Sequence, residues 1–318
     1  MHAGAELAGP LRRRRSLLEA GVDSCFRLIN GEGDGLEPVF VDKFGPVAVV
    51  NWHGKKNFAR NNWIIDAVRE LDSVISIYVK SHTSDASKAV PVALDTPPSG
   101  SRTEELAVRE NCINYLIRPA NGLSVGLYLD MRDIRLWLLS QVKGASVLNC
   151  FAYTCAFGVV AQTGGARRIV NIDASRKVLD WGLQNAQLNQ LEPGIQEYLT
   201  GDVFSWLKRF AKREESFDWV ILDPPSYATT KESRFSAGHD YPKLIAMAAR
   251  VVRPGGQILA CCNLSTLSRQ KFHTLIKQGL REAGRTSIDS LDLYPSEIDF
   301  PVPPGEEAPL KVVAVTLG

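Results

Sequence analysis

Apolar positions along the chain follow two different rhythms. Between residues 25 and 52 short apolar runs alternate with turn residues: Phe26-Arg27-Leu28-Ile29, Asn30-Gly31-Glu32-Gly33-Asp34-Gly35, Pro38-Val39-Phe40-Val41-Asp42, Phe44-Gly45 and Val47-Ala48-Val49-Val50. Runs this short, rich in β-branched and aromatic residues and bounded by Gly and Asn, predict an antiparallel β motif. One helix near Phe58 to Leu71 follows, and three prolines with a glycine between Pro91 and Ser101 predict an exposed loop. Past Pro119 to Gly122 the rhythm changes. Strands at Ser146–Cys150, Arg168–Asp173, Gln196–Leu199, Asp218–Leu222 and Gln257–Cys261 alternate with helices from about Ala156 and over Ser175–Asn189, Val203–Lys212, Tyr241–Val252 and Ser268–Ala283. Alternation of this length predicts an α/β fold with a doubly wound, mostly parallel sheet. The expected organisation is a small α+β domain over 1–118, a candidate for RNA or substrate recognition, and a larger sheet domain over 119–318.

Composition narrows the class. A chain of 318 residues, 45% hydrophobic and 23% charged, buries a substantial core and excludes disordered and fibrous classes. The net charge of +2 excludes a uniformly polybasic nucleic-acid binder, yet it hides an asymmetry. Residues 121–285 hold 21 Lys and Arg against 14 Asp and Glu, whereas 286–318 hold Lys311 against Asp289, Asp292, Glu297, Asp299, Glu306 and Glu307. The segment 121–285 therefore carries the positive excess that an RNA phosphate track requires. Arg12 to Arg15 reads as a solvated helix end, with a phosphate-contacting patch as the alternative. No run approaches the ~18 apolar residues of a membrane span, and the first residues lack a leader pattern. The expectation is a cytoplasmic protein whose six cysteines are reduced.

In doubly wound sheets ligands bind beyond the carboxyl ends of the strands. The polar residues there are Asn149 to Thr154, Asp173, Asp202 and Asp223-Pro224-Pro225. Asp173, followed by Ala174-Ser175 at a helix start, suits a ribose diol, because a carboxylate accepts both hydroxyl hydrogens; an N-cap is the alternative. The first turn, Asn149-Cys150-Phe151-Ala152-Tyr153-Thr154-Cys155-Ala156-Phe157-Gly158, has no G-x-G-x-x-G. That disfavours a dinucleotide oxidoreductase.

Several segments together carry a resemblance. They are Arg27 to Leu36 with Val41-Asp42-Lys43-Phe44-Gly45, Gly126-Leu127-Tyr128-Leu129-Asp130-Met131-Arg132, Asn149 to Thr154, Asp173, Gly201-Asp202-Val203-Phe204, Asp223-Pro224-Pro225-Ser226-Tyr227 with Lys231, and Asp299-Phe300-Pro301-Val302. In order and spacing the chain resembles the class I S-adenosylmethionine methyltransferases that act on large-subunit ribosomal RNA at cytosine C5 or guanine N7. Phe300 stands where those proteins commonly have histidine. The resemblance implies a Rossmann-like seven-stranded methyltransferase sheet, S-adenosyl-L-methionine as cofactor, and ribosomal RNA as partner, with no metal and no membrane. It also implies roles: Asn149, Phe151, Tyr153 and Thr154 for the methionyl part, Asp173 with Ala174 for the ribose, and Asp202 with Val203 for the adenine. Asp223 completes the cofactor set, and Arg132 closes over it; a structural ion pair is the alternative for Asp130 and Arg132. Cys155 stands where the family has glycine, so a side chain is expected to crowd the turn.

The acceptor atom decides which further residues are needed. Cytosine C5 is a poor nucleophile and needs a cysteine thiolate to add at C6, whereas a guanine nitrogen already has electron density to offer. Aligned from Gly255-Gly256, Asn263 falls at the position of the cytosine enzymes' nucleophile, and Cys262 is one residue away, where a strand's facing reverses. Cys262 therefore reads as a buried structural thiol, with a nucleophile as the alternative. Asp223 and the Pro224 carbonyl can accept from an amino group, Pro225 shapes the same loop, and Tyr227 can stack on a flipped base or pack in the loop. In the family's strand order a strand separates Cys150 from Cys261 by ~10 Å, which argues against a metal site formed with Cys155 and Cys262. The leading expectation is an RNA base methyltransferase, guanine nitrogen ahead of cytosine C5. The competing one is a non-catalytic RNA- or cofactor-binding protein that keeps the fold. The family's N-terminal PUA-type module is expected to be absent, leaving RNA recognition to the small domain and the crevice rim.

Overall fold

The alternating run before residue 52 folds as expected, and the reason is a sheet with one apolar face. The computed structural model describes residues 3–21, 24–53, 62–71, 73–81, 103–122, 124–229 and 234–318. The loop expected at Pro91 to Ser101, the helix start expected at Phe58, and Lys231 lie outside the described residues. The chain divides into two compact units, residues 1–132 with 296–306, and residues 133–295 with 307–318. The sequence pattern changes at 118/119, but the division by contacts falls at 132/133 and returns a distant segment to the first unit.

The first unit runs α1 (Ala3–Arg13), α2 (Arg15–Glu19), β1 (Cys25–Asn30), β2 (Val39–Phe44), β3 (Val47–Trp52), α3 (Asn62–Arg69), β4 (Ser76–Ser81), β5 (Leu106–Glu110) and β6 (Ile113–Ile117). β1 to β3 are antiparallel neighbours, β4 lies parallel to β3, and β5 pairs with β6 as a separate hairpin. The sequence pattern did not reveal β4, β5 or β6. Phe26, Leu28, Val39, Val41, Ala48, Val50, Ile77 and Val79 share the apolar core with Leu7, Ile64 and Val68 of the helices. The strands' alternate positions carry charge instead. Arg27 on β1 pairs with Asp42 on β2 at 2.8 and 3.2 Å and lies between the rings of Phe40 and Phe300.

The arginine run has an unexpected role. Arg14 is fully buried and donates to both Asp34 oxygens at 2.8 and 2.7 Å, to the Arg27 carbonyl at 2.9 Å and to the Asp299 carbonyl at 3.0 Å. Arg13 also reaches Asp34, and Arg15 pairs with Glu19 on the surface. Arg14 thus joins α1, the loop after β1 and the segment around 299 into one hydrogen-bonded clamp, which neither a solvated helix end nor a phosphate patch describes. Gly33 lets the same segment approach, because a Cβ there would strike the Pro301 carbonyl.

The second unit runs α4 (Arg132–Leu139), β7 (Ser146–Cys150), α5 (Ala156–Thr163), β8 (Arg168–Asp173), α6 (Arg176–Leu188), β9 (Gln196–Thr200), α7 (Val203–Lys212), β10 (Phe217–Leu222), β11 (Tyr227–Thr229), β12 (Arg234–Ser236), α8 (Ala237–Ala249), β13 (Val252–Cys262), α9 (Arg269–Glu282), β14 (Ser287–Leu293) and β15 (Lys311–Leu317). Among the described residues its sheet has seven strands in the order β14-β15-β13-β10-β7-β8-β9. β15 runs antiparallel to both its neighbours, and the remaining strands are parallel. This is the expected doubly wound, seven-stranded α/β sheet. Central strands β7 and β10 are buried along their whole length, which is why they read as continuous apolar runs. The β11–β12 hairpin and the last two strands, β14 and β15, escaped the sequence pattern, and α8 begins four residues before the expected Tyr241.

Candidate active site

β7 leads through α5 to β8 and β9 on one side, while β10 and β13 follow on the other. Loops leaving β7 and β10 in opposite directions open a crevice at their carboxyl ends.

On the β7 side the chain turns from Cys150 to Ala156 with Phe151, Tyr153 and Cys155 at φ of 57°, 48° and 57°. Left-handed backbone costs such residues ~1–3 kcal/mol each and persists only where neighbours enforce it. Here the Ala152 N–H donates to Ile172, the Cys155 N–H to Ala152, and the Tyr153 N–H to the Asp173 carboxylate at 3.0 Å. Asp173, the last residue of β8, also accepts from the Ser175 N–H at 2.9 Å. Burial pushes its carboxyl up, and those backbone N–H groups act against that. Asp202 caps α7, accepting from the Ser205 N–H at 2.9 Å. Two carboxylates therefore stand at the ends of adjacent strands β8 and β9, each oriented by backbone donors.

Cys155 does not crowd the crevice. It is fully buried against Ala152 and Leu179, beneath the turn, where its sulfur fills the space that a Cβ on Gly182 of α6 would need. A mid-helix glycine is thus the counterpart of the missing turn glycine. Gly182→Ala is expected to cost about 1–3 kcal/mol by overpacking, and most of that should return in the Cys155→Gly/Gly182→Ala double variant. Chemical denaturation of the four proteins checks this: simple additivity would contradict the coupling.

Other residues of the expected cofactor set have partners within the fold or lie in its core. Asn149 is buried, and its amide donates to Asn171 at 2.9 Å; Asn171 donates to Gln196 at 3.0 Å and Gln196 to Gln162 at 2.9 Å. This amide chain ties β7, β8, β9 and α5 together. An Asn inside the apolar run Ile169-Val170-Asn171-Ile172 was the available sign of it. The Thr154 side chain is fully buried, and its carbonyl accepts from Asn185; Val203 lies in the core. Arg132 donates twice to Asp299, at 2.7 and 2.8 Å, within the first unit. Asp299 is thus one ion-pair partner of Arg132. Phe151, Tyr153 and Ala174 remain at least partly accessible at the strand ends.

On the other side β10 ends at Leu222 and runs into Asp223-Pro224-Pro225-Ser226, from which the Ser226 hydroxyl donates to the Asn263 carbonyl at 3.1 Å. Asp223, Pro225, Tyr227 and Asn263 are thereby brought together at the ends of β10 and β13. Tyr227 is 70% exposed. Pro224 is buried, and Asn263 is exposed. Cys262 is not part of this group: it is 1% exposed within the core, opposite Lys311 on β15. Burial pushes its thiol up, and the nearby Lys311 ammonium only partly opposes this. A nucleophilic thiol needs access and ionisation, and the burial of Cys262 works against both.

Much of the positive excess serves the fold. Arg167 and Arg253 pair with Asp218, Arg168 pairs with Glu197 and Glu215, and Arg285 donates to the Ala249, Val252 and Gly318 carbonyls. Arg209, Lys212 and Arg281 stand in last turns of helices, where cations complement the helix dipole. Among the described residues, no three His, Cys, Asp or Glu side chains converge as a metal site, and no helix is long and apolar enough to cross a membrane.

Comparison with known proteins adds a second line. Residues 90–304 match the model of the S-adenosylmethionine-dependent methyltransferase family. Ribosomal RNA large subunit methyltransferase I of Salmonella enteritidis is 32% identical over 283 residues, covering 89% of this chain and 70% of that protein. The protein of the same name from Aeromonas salmonicida is 30% identical, covering 93% and 74%. Among solved structures, SMU.776 complexed with SAH superposes with a TM-score of 0.89 at 26% identity, covering 99% of this chain and 80% of that one. The S-adenosylmethionine-dependent methyltransferase of Agrobacterium tumefaciens, at 19% identity and TM-score 0.67, shares the fold.

Proposed function

The chain belongs to the S-adenosylmethionine-dependent methyltransferase family, and from that premise we propose that it methylates a base of large-subunit ribosomal RNA in the cytoplasm, at a guanine nitrogen. The observation that carries the reading is the joined Asp223–Tyr227 and Asn263 loops at the ends of β10 and β13, across β7 from the carboxylates of Asp173 and Asp202 at the ends of β8 and β9. Two relatives bear the name of a large-subunit ribosomal RNA methyltransferase, which supports the substrate class.

The residues fit the cofactor by the chemistry of their acceptors. Asp173, held by the Tyr153 and Ser175 amides, suits a ribose diol; Asp202 suits an adenine amino group; the strained turn at Phe151 and Tyr153 would hold the methionyl part. When bound, S-adenosylmethionine supplies an electrophilic methyl group on a sulfonium. Transfer is an in-line displacement, so this chain's task is to align the acceptor and exclude water. Asp223 and the Pro224 carbonyl accept from the base's amino group, Tyr227 stacks on its face, and the Asn263 amide meets its edge. Asn263 at the end of β13, with Cys262 buried behind it, favours a guanine nitrogen over cytosine C5.

The test is incubation with deproteinised large-subunit RNA and methyl-labelled cofactor, followed by nucleoside mass spectrometry. Labelled methylguanosine is expected; labelled 5-methylcytidine would refute the choice of atom, and no label the function. Cys262→Ala is expected to keep turnover within about twofold, because a thiol buried in the core contributes packing.

A further inference from the structure

Tyr241 was no part of the sequence-based site, yet it ties the acceptor loops together. It sits in the second turn of α8, fully buried, with its ring edge-on to Phe272 at 4.8 Å. Its hydroxyl donates to the Cys261 carbonyl at 2.7 Å and lies 3.4 Å from the Leu222 carbonyl. Leu222 is the residue before Asp223-Pro224-Pro225, and Cys261 stands two residues before Asn263.

The reason for a side-chain tie lies in the backbone. β10 and β13 pair as far as Leu222 and Ala260. Beyond that point Pro224 and Pro225 have no N–H to donate, so a regular ladder cannot continue. α8 holds the loop at both ends instead: the Ala237 N–H donates to the Ser226 carbonyl at 3.0 Å, and the Tyr241 hydroxyl meets the Leu222 carbonyl. The Ser226 hydroxyl then reaches Asn263. One tyrosine hydroxyl, nearer the Cys261 carbonyl than the Leu222 carbonyl, bridges the strand ends that lead into the two loops.

We propose that the Tyr241 hydroxyl is a positioning group for the acceptor pocket, setting the spacing of the Asp223–Tyr227 loop from Asn263 and hence the plane in which a flat base lies. The inference deepens the reading of these loops as the acceptor site and rests on it. An alignment error of about 1 Å can cost a hundredfold in turnover, so the hydroxyl should act on turnover more than on binding.

Tyr241→Phe keeps the ring and removes the tie. With the intact protein and deproteinised large-subunit RNA, kcat should fall at least about tenfold, while KM for RNA and Kd for S-adenosylmethionine stay within about threefold. Amide exchange at residues 226–229 and 263–265 should accelerate by at least about tenfold relative to wild type. Phe272→Leu, which loosens the packing around the same ring but keeps the hydroxyl, should lower the melting temperature without the loss in kcat. Unchanged exchange at both loops in Tyr241→Phe overturns the proposal, as does an equal kcat loss in Phe272→Leu. If wild-type protein transfers no methyl to this RNA, the functional reading fails by itself, and the exchange measurement decides the Tyr241 tie alone.

Discussion

Asp223→Ala should reduce turnover of methyl transfer by at least about a hundredfold while the protein stays folded and its affinity for S-adenosylmethionine changes far less. Asp223 follows the last residue of β10 and leads into two prolines, so its backbone has little freedom to drift. Its surroundings are poorly screened: burial pushes the Tyr241 hydroxyl and the Cys262 thiol up, and the Asp223 charge adds to both shifts. A carboxylate in such a place accepts strongly from an amino group and holds a base still. The alanine variant loses that acceptor, whereas the Asp173 and Asp202 carboxylates at the ends of β8 and β9 remain. Asp223→Asn retains one acceptor oxygen and should keep an intermediate rate. Single-turnover kinetics with labelled cofactor, beside calorimetric titration of the cofactor, separates the two effects. A loss of rate matched by an equal loss of cofactor affinity would assign Asp223 to the cofactor instead.

The second large effect is on stability. Arg14→Met should destabilise the first unit by about 3–5 kcal/mol, the usual cost of removing one partner from a buried ion pair. The loss is concentrated: among the described residues the Asp34 carboxylate, 1% exposed, keeps Arg13 and the Asn30 N–H, and the Arg27 and Asp299 carbonyls each lose a donor. Arg15→Met, next in the chain, removes a surface pair with Glu19 and should leave the unfolding midpoint unchanged. Differential scanning calorimetry of both variants checks the contrast, with the low-temperature transition of Arg14→Met falling by roughly 10 °C or more. Equal midpoints would mean that the clamp is dispensable.

These two residues also mark where reading the sequence succeeds and where it stops. Asp223 was legible because β10 is a short apolar run ended by prolines, and a polar residue at that point belongs at a strand's carboxyl end. Asp173 and Asp202 were legible for the same reason. Asn149 and Thr154 lie in the same turn and follow the same rule, yet their side chains point into the unit, Asn149 toward Asn171 and Thr154 into full burial. Position along a strand predicts depth in the sheet, but which side chain faces the crevice depends on the φ values of Phe151, Tyr153 and Cys155, which no periodicity encodes. Cys155 shows the same limit: its partner Gly182 lies on a neighbouring helix, and only packing reveals that they share one volume.

Arg14 was illegible for a further reason. In a run of four cations every member looks alike, and what distinguishes Arg14 is Asp34, 20 residues on, and Asp299, 285 residues on. Local pattern determined five of the seven strands of the large sheet, its mostly parallel class and the polar residues at its strand ends, because hydrophobic period, turn chemistry and proline act over a few residues. The tertiary structure decided which cation is buried, which glycine makes room for a thiol, and that a tyrosine on α8 spans the ends of β10 and β13. Those outcomes depend on which distant atoms compete for the same small volume or the same proton, and that competition exists only once the chain is packed.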